Sequence, residues 1–175
     1  MAVRRMVRSI SGRTLPRLGE MGARPLMANA RLVPGAPAVL RALRRRGYRL
    51  GLVSNTPWGT PDYLWRGQLQ RFGLAECFET TCFSSDVGSR KPDPRIFRTA
   101  LEALGVAAGR ALFVGDEPEA DVRGARRAGL RAAWVRRRGE PPDFPAEEAP
   151  DLVIQHLADL LDHLPGPPGA GVRGE

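Results

Sequence analysis

From residue 34 onward, short apolar runs alternate with helix-length amphipathic stretches, and glycine or proline marks most boundaries. The runs 50–53, 78–83, 111–114 and 131–135 have the length and composition of buried strands, and 152–154 reads as a short edge strand. Between them, Pro37 opens a helix that carries Val39, Leu40 and Leu43 and stops at Gly47. Thr60 is placed as an N-cap with Pro61 at the first helical position, and Trp65, Leu69 and Phe72 share one face before Gly73. Asp93 and Pro94 start a helix with Phe97, Leu101 and Leu104 inward, and another carries Val122, Ala125 and Ala128. These two end at Gly105 and Gly129. Leu157, Leu160, Leu161 and Leu164 then share one face of a last helix. Strands and helices alternating in this way build a parallel sheet covered on both faces. The expected fold is therefore α/β: a three-layer α/β/α sandwich with a mostly parallel, Rossmann-like sheet.

A length of 175 residues fits one folded domain. The expected organisation is an arginine-rich, poorly ordered or atypical segment over 1–30, a core domain over 31–164 and a disordered tail over 165–175. Residues 1–33 show no convincing period, and 136–151 read as a charged, proline-rich loop. Residues 1–61 hold 12 arginines against the single acid Glu20, whereas 62–175 carry 15 basic and 18 acidic side chains. The net charge of +8 thus belongs to the N-terminal third. Such a segment resembles a transit peptide or an arm for anionic surfaces, but arginine bias in a leader explains it as well. No aromatic residue is interleaved with the arginines before Tyr48, so no base-stacking platform is indicated. No nucleic-acid partner is expected, the basic N-terminus being the one candidate surface for it. No run of 18 apolar residues exists, so no membrane partner is expected either. Cys77 and Cys82 lack metal-site spacing and read as reduced thiols of a cytoplasmic protein; His156 and His163 read as positions on the last helix.

In open parallel sheets, ligands bind beyond the carboxyl ends of the strands. Ser54, Lys91, Asp116 and Asp121 all fall at or just past predicted strand ends. Lys91 stands alone among 26 arginines, so this position calls for a compact point charge rather than a planar fork. Asp116 and Asp121 are hard oxygen donors suited to Mg2+, with Glu117 and Glu119 as alternative ligands or helix-start acids. Ser54 and Asn55 offer a hydroxyl and backbone N–H groups, which together with Lys91 can hold the oxygens of a phosphoryl group. No Gly-x-x-x-x-Gly-Lys loop is present, which disfavours a P-loop nucleotide triphosphatase.

The series Leu52-Val53-Ser54-Asn55, Arg90-Lys91-Pro92-Asp93-Pro94 and Val114-Gly115-Asp116 with Asp121, followed by Gly124-Ala125-Arg126-Arg127-Ala128-Gly129, resembles the haloacid dehalogenase-like (HAD) hydrolase superfamily over about residues 31–164. These stretches are similar to its second, third and fourth motifs, in order. A phosphorelay receiver domain also uses acids, a hydroxyl and a lysine, but there the lysine comes last. The resemblance implies Mg2+-dependent hydrolysis of a small phosphorylated metabolite through an aspartyl-phosphate. Ser54 and Asn55 would bind the phosphoryl group, Lys91 would offset the charge of nucleophile and phosphate, and Asp116 with Asp121 would hold the metal.

The same resemblance implies an upstream Asp-x-Asp on a central first strand, supplying nucleophile and acid/base. No aspartate precedes Asp62 here, and Glu20 is the only acid upstream of it. That strand, expected between those carrying Ser54 and Asp116, is missing or atypical, with residues 6–10 as a makeshift candidate. Two readings stay open: a phosphatase core truncated ahead of its first motif and inactive as given, or a non-catalytic relative that binds a phosphorylated ligand or protein partner.

Overall fold

The structure, a computed structural model, describes residues 14–57, 60–137, 144–164 and 166. Helix α1 (Thr14–Asn29) and helix α2 (Ala36–Arg45) precede strand β1 (Gly51–Ser54), and helix α3 (Asp62–Arg71) leads to strand β2 (Thr80–Phe83). Ser84–Val87 makes a single helical turn, and helix α4 (Pro94–Leu104) then returns to strand β3 (Leu112–Gly115). A wide π turn (Pro118–Arg123) runs into helix α5 (Gly124–Arg127), strand β4 (Arg131–Val135), strand β5 (Leu152–Ile154) and helix α6 (Leu160–His163).

All ladders are parallel, as the alternation predicts: β1 pairs with β2, β3 with β4, and β4 with β5. The period of two along β4 shows why both faces are covered. Ala132 and Trp134 enter one apolar cluster with Ile96, Phe97, Ala100 and Leu101 of α4 and Ala125 of α5. Ala133, between them, enters a second cluster with Ile154 and Leu160. Trp134 is fully buried and meets Phe144 edge-on at 5.2 Å. This is the α/β/α sandwich expected from the sequence.

The sheet is not continuous. β2-β1 and β3-β4-β5 are separate, and among the described residues no strand joins β1 to β3. Each of these two strands has a paired neighbour on one side only. Their residues are half-buried or exposed, while the interior of β4 is sealed. Helix α4 holds the halves together on one face, lying on β1 and β2 and setting Phe97 against Phe113 of β3 at 5.0 Å. Among the described residues the strands of Ser54 and Asp116 are thus not joined; residues 6–10, the candidate for a strand between them, lie outside the described residues, as does the tail except Gly166.

Two local expectations are corrected. The segment before residue 33 contains a 16-residue helix, α1, where no period was expected. Among its described side chains the buried ones are the i, i+4 pair Ala23 and Met27. Thr60 does not cap α3: Pro61 takes the N-cap position, and the Thr60 hydroxyl is buried with no hydrogen-bond partner among the described residues.

Asp93 does cap α4, its carboxylate accepting the Arg95 backbone N–H at 2.9 Å. The Arg95 side chain and that N–H hold the carboxyl down to about 2. An unfolded aspartate titrates near 4, so this cap adds stability above about pH 4 and loses it as pH falls through about 2. Acid unfolding of wild type and Asp93→Asn should show a stability difference that disappears over that window; a difference unchanged at pH 2 would contradict it.

Candidate active site

The carboxyl ends of β1 and β3 are joined by a chain of polar contacts that runs through Lys91. Asn55, just past β1, grips the backbone of Lys91 from both sides: its Oδ1 accepts the Lys91 N–H at 2.8 Å, and its Nδ2 donates to the Lys91 carbonyl at 3.1 Å. Thr56 is pinned beside it, its N–H donating to Ser84 Oγ at 2.9 Å and its carbonyl accepting Arg90 at 2.6 Å. These bonds fix the loop after β1 to the loop before α4. Among the described residues, Ser54 makes one long 3.4 Å bond, to the Asn55 carbonyl, leaving its hydroxyl close to uncommitted at the strand end.

The Lys91 side chain then crosses to the other half of the sheet. Its ammonium donates to Asp121 Oδ1 at 2.6 Å and lies 5.3 Å from the centre of the Phe113 ring. With 12% of the Lys91 side chain and 6% of that of Asp121 exposed, Asp121 is buried and Lys91 half-buried. A compact ammonium suits this slot between a ring face and a carboxylate, which accounts physically for the one lysine.

Asp121 reaches its place because the turn after β3 opens as a π turn, not the regular helix expected there. The wide turn folds the carboxylate back over its own start, where Oδ2 accepts the N–H groups of Asp116 at 3.0 Å and Glu117 at 3.1 Å. Gly115 leaves room for this: a Cβ there would stand 2.5 Å from Asp121 Cβ and closer still to the carboxylate. Gly124 plays the same part on the far side, since a Cβ would meet the Pro92 Cα at 2.9 Å.

Asp116 is held differently. Its backbone is fixed by Asp121 at the N–H and by the Trp134 indole, which donates to its carbonyl at 3.2 Å. Its carboxylate points outward and pairs with the Arg137 guanidinium. The structure thus gathers Ser54, Asn55, Lys91, Asp116 and Asp121 into one connected site. Glu20 is elsewhere, its carboxylate bonded to the Tyr63 hydroxyl on α3.

Sequence reasoning missed Gly115, Trp134 and Arg137. Trp134 reads as core in an apolar strand, and Arg137 is hidden by arginine bias. The rule that found Ser54 and Asp116 would have found Arg137, which lies just past the end of β4.

Mg2+ takes hard oxygen donors, commonly one or two carboxylates with several waters. The half-exposed Asp116 carboxylate fits that demand. Both oxygens of Asp121 already serve Lys91 and the turn amides, so Asp121 fits as a ligand through water. Among the described residues, no cluster of three or more His, Cys, Asp or Glu side chains is present that could enclose a metal by itself.

The sequence profile of haloacid dehalogenase-like hydrolases matches residues 12–129, a span that includes α1 and every motif residue of the site. The chain belongs to the haloacid dehalogenase-like hydrolase family. Relatives in this family include a phosphoserine phosphatase of Thermus thermophilus, 49% identical over 74% of this chain and 50% of that protein. A phosphoglycolate phosphatase of Rhodospirillum rubrum is 42% identical over 84% of this chain and 58% of its own length. A HAD phosphatase crystal structure from Thermococcus onnurineus superposes with a TM-score of 0.70 at 33% identity, covering 86% of this chain and 65% of that one. The chain spans about half the length of the curated relatives it matches.

Proposed function

We propose that this chain carries the phosphoryl-holding and metal-holding part of a phosphatase site for a small phosphorylated metabolite. The observation that supports it most is the Lys91 bridge, which brings a half-buried ammonium, the Ser54 hydroxyl and the Asp116 carboxylate to one rim of the sheet. Relatives named as phosphatases of phosphoserine, phosphoglycolate and glyceraldehyde 3-phosphate support the same class of substrate.

In this reading Ser54 donates its hydroxyl to a phosphoryl oxygen, with the Asn55 backbone N–H beside it. Lys91 carries three N–H donors, one of them given to Asp121, and turns the others to the phosphate. Asp121 is the positioning acid: it holds the Lys91 ammonium and the Asp116 turn at once. Asp116, with Asp121 behind it, would hold Mg2+, and the ion would supply charge to offset that of the phosphate. The 175-residue polypeptide holds no aspartate before Asp62, and its one upstream acid is turned to Tyr63, so binding without hydrolysis is expected of it.

Asp116→Asn should weaken Mn2+ binding, followed by paramagnetic resonance, by about tenfold or more, since even partners standing behind a metal ligand are worth that much. Equal affinity in both proteins would remove Asp116 from the metal site.

A further inference from the structure

Arg137 lies two residues past the end of β4, on the rim that carries Ser54, Lys91 and Asp116, and its guanidinium pairs with the Asp116 carboxylate. Asp116 does not depend on it for position, because Asp121 and the Trp134 indole fix its backbone from two other directions. The Arg137 side chain is 71% exposed, so it can change partners at little packing cost. Arg136 next to it is differently placed, half-buried with its guanidinium 5.8 Å from the centre of the Trp134 ring. Exposed ion pairs are weak, and a divalent cation arriving at the same carboxylate repels a guanidinium already there.

We propose that Arg137 recognises a second acidic group on the substrate: it rests on Asp116 while that carboxylate lacks a divalent cation, and turns to the substrate once a cation takes its place. The planar fork of arginine matches a carboxylate through two parallel N–H bonds. The substrate class is then a phosphate monoester that also carries a carboxylate. This rests on the phosphate-site reading above and adds specificity to it.

The experiment compares two probes of similar shape in the presence of Mn2+: phosphoglycolate, which has the carboxylate, and ethyl phosphate, which has a methyl group instead. Wild type should bind phosphoglycolate about tenfold more tightly, as expected of one charge-assisted pair. Arg137→Gln should erase that preference, and Arg137→Lys should restore part of it. In the absence of either ester, Arg137→Gln should bind Mn2+ about two- to fivefold more tightly, the value of a lost surface pair. A preference that survives Arg137→Gln, or Mn2+ affinity that does not rise, overturns the role of Arg137 while ethyl phosphate binding still supports the phosphate site. If wild type binds neither ester, both readings fall together.

Discussion

Asp121→Ala is expected to lower the unfolding free energy by about 3–5 kcal/mol, the range for removing one partner of a buried ion pair. The cost has two sources. Lys91 loses the acceptor of its ammonium in a slot where only 12% of its side chain reaches solvent. The N–H groups of Asp116 and Glu117 lose their common acceptor as well. Adding Lys91→Met should recover part of the loss, because an apolar side chain in that slot leaves no orphaned charge. Urea unfolding of the two single variants and the double variant measures this. A loss under about 1 kcal/mol for Asp121→Ala would place the pair among ordinary surface bridges.

Gly115→Ala is expected to cost about 3 kcal/mol, at the upper end for overpacking. The added methyl group falls on Asp121 itself, and the backbone of β3 cannot move away without breaking its ladder to β4. The carboxylate must therefore leave its amides and Lys91. The effects of Gly115→Ala and Asp121→Ala should fall well short of additive, since both break the same contacts. Full additivity in a double-mutant cycle would mean that Gly115 acts on something other than Asp121.

The Gly115–Asp121 contact marks where sequence reading stopped. Ser54, Lys91 and Asp116 were legible because strand ends can be located from apolar runs, and the topology places reactive side chains there. The interior of β4 followed from the same pattern, but the bond from the Trp134 indole to the Asp116 carbonyl did not. What Asp121 does was not legible, because the spacing fits a helix-borne ligand, and only the π turn sends the carboxylate back to the amides of 116 and 117. Nor was α1, whose burial within the described side chains rests on small or single contacts such as Ala23 and Met27. Reading Thr60 as an N-cap failed for a related reason: a hydroxyl before a proline looks like a cap until tertiary packing buries it. The split between β1 and β3 could be expected only through the family resemblance, since no property of either strand's own sequence tells which edges stay unpaired.

Central to the proposed function is that Ser54, Asn55 and Lys91 together cradle a phosphoryl group. Calorimetric titration of the 175-residue chain with inorganic phosphate, in the presence of Mg2+, tests it directly. Wild type should bind, and Lys91→Met should lose about ten- to a hundredfold in affinity, the worth of a hydrogen bond to a charged group. Phosphate binding of equal strength in wild type and Lys91→Met would contradict the account.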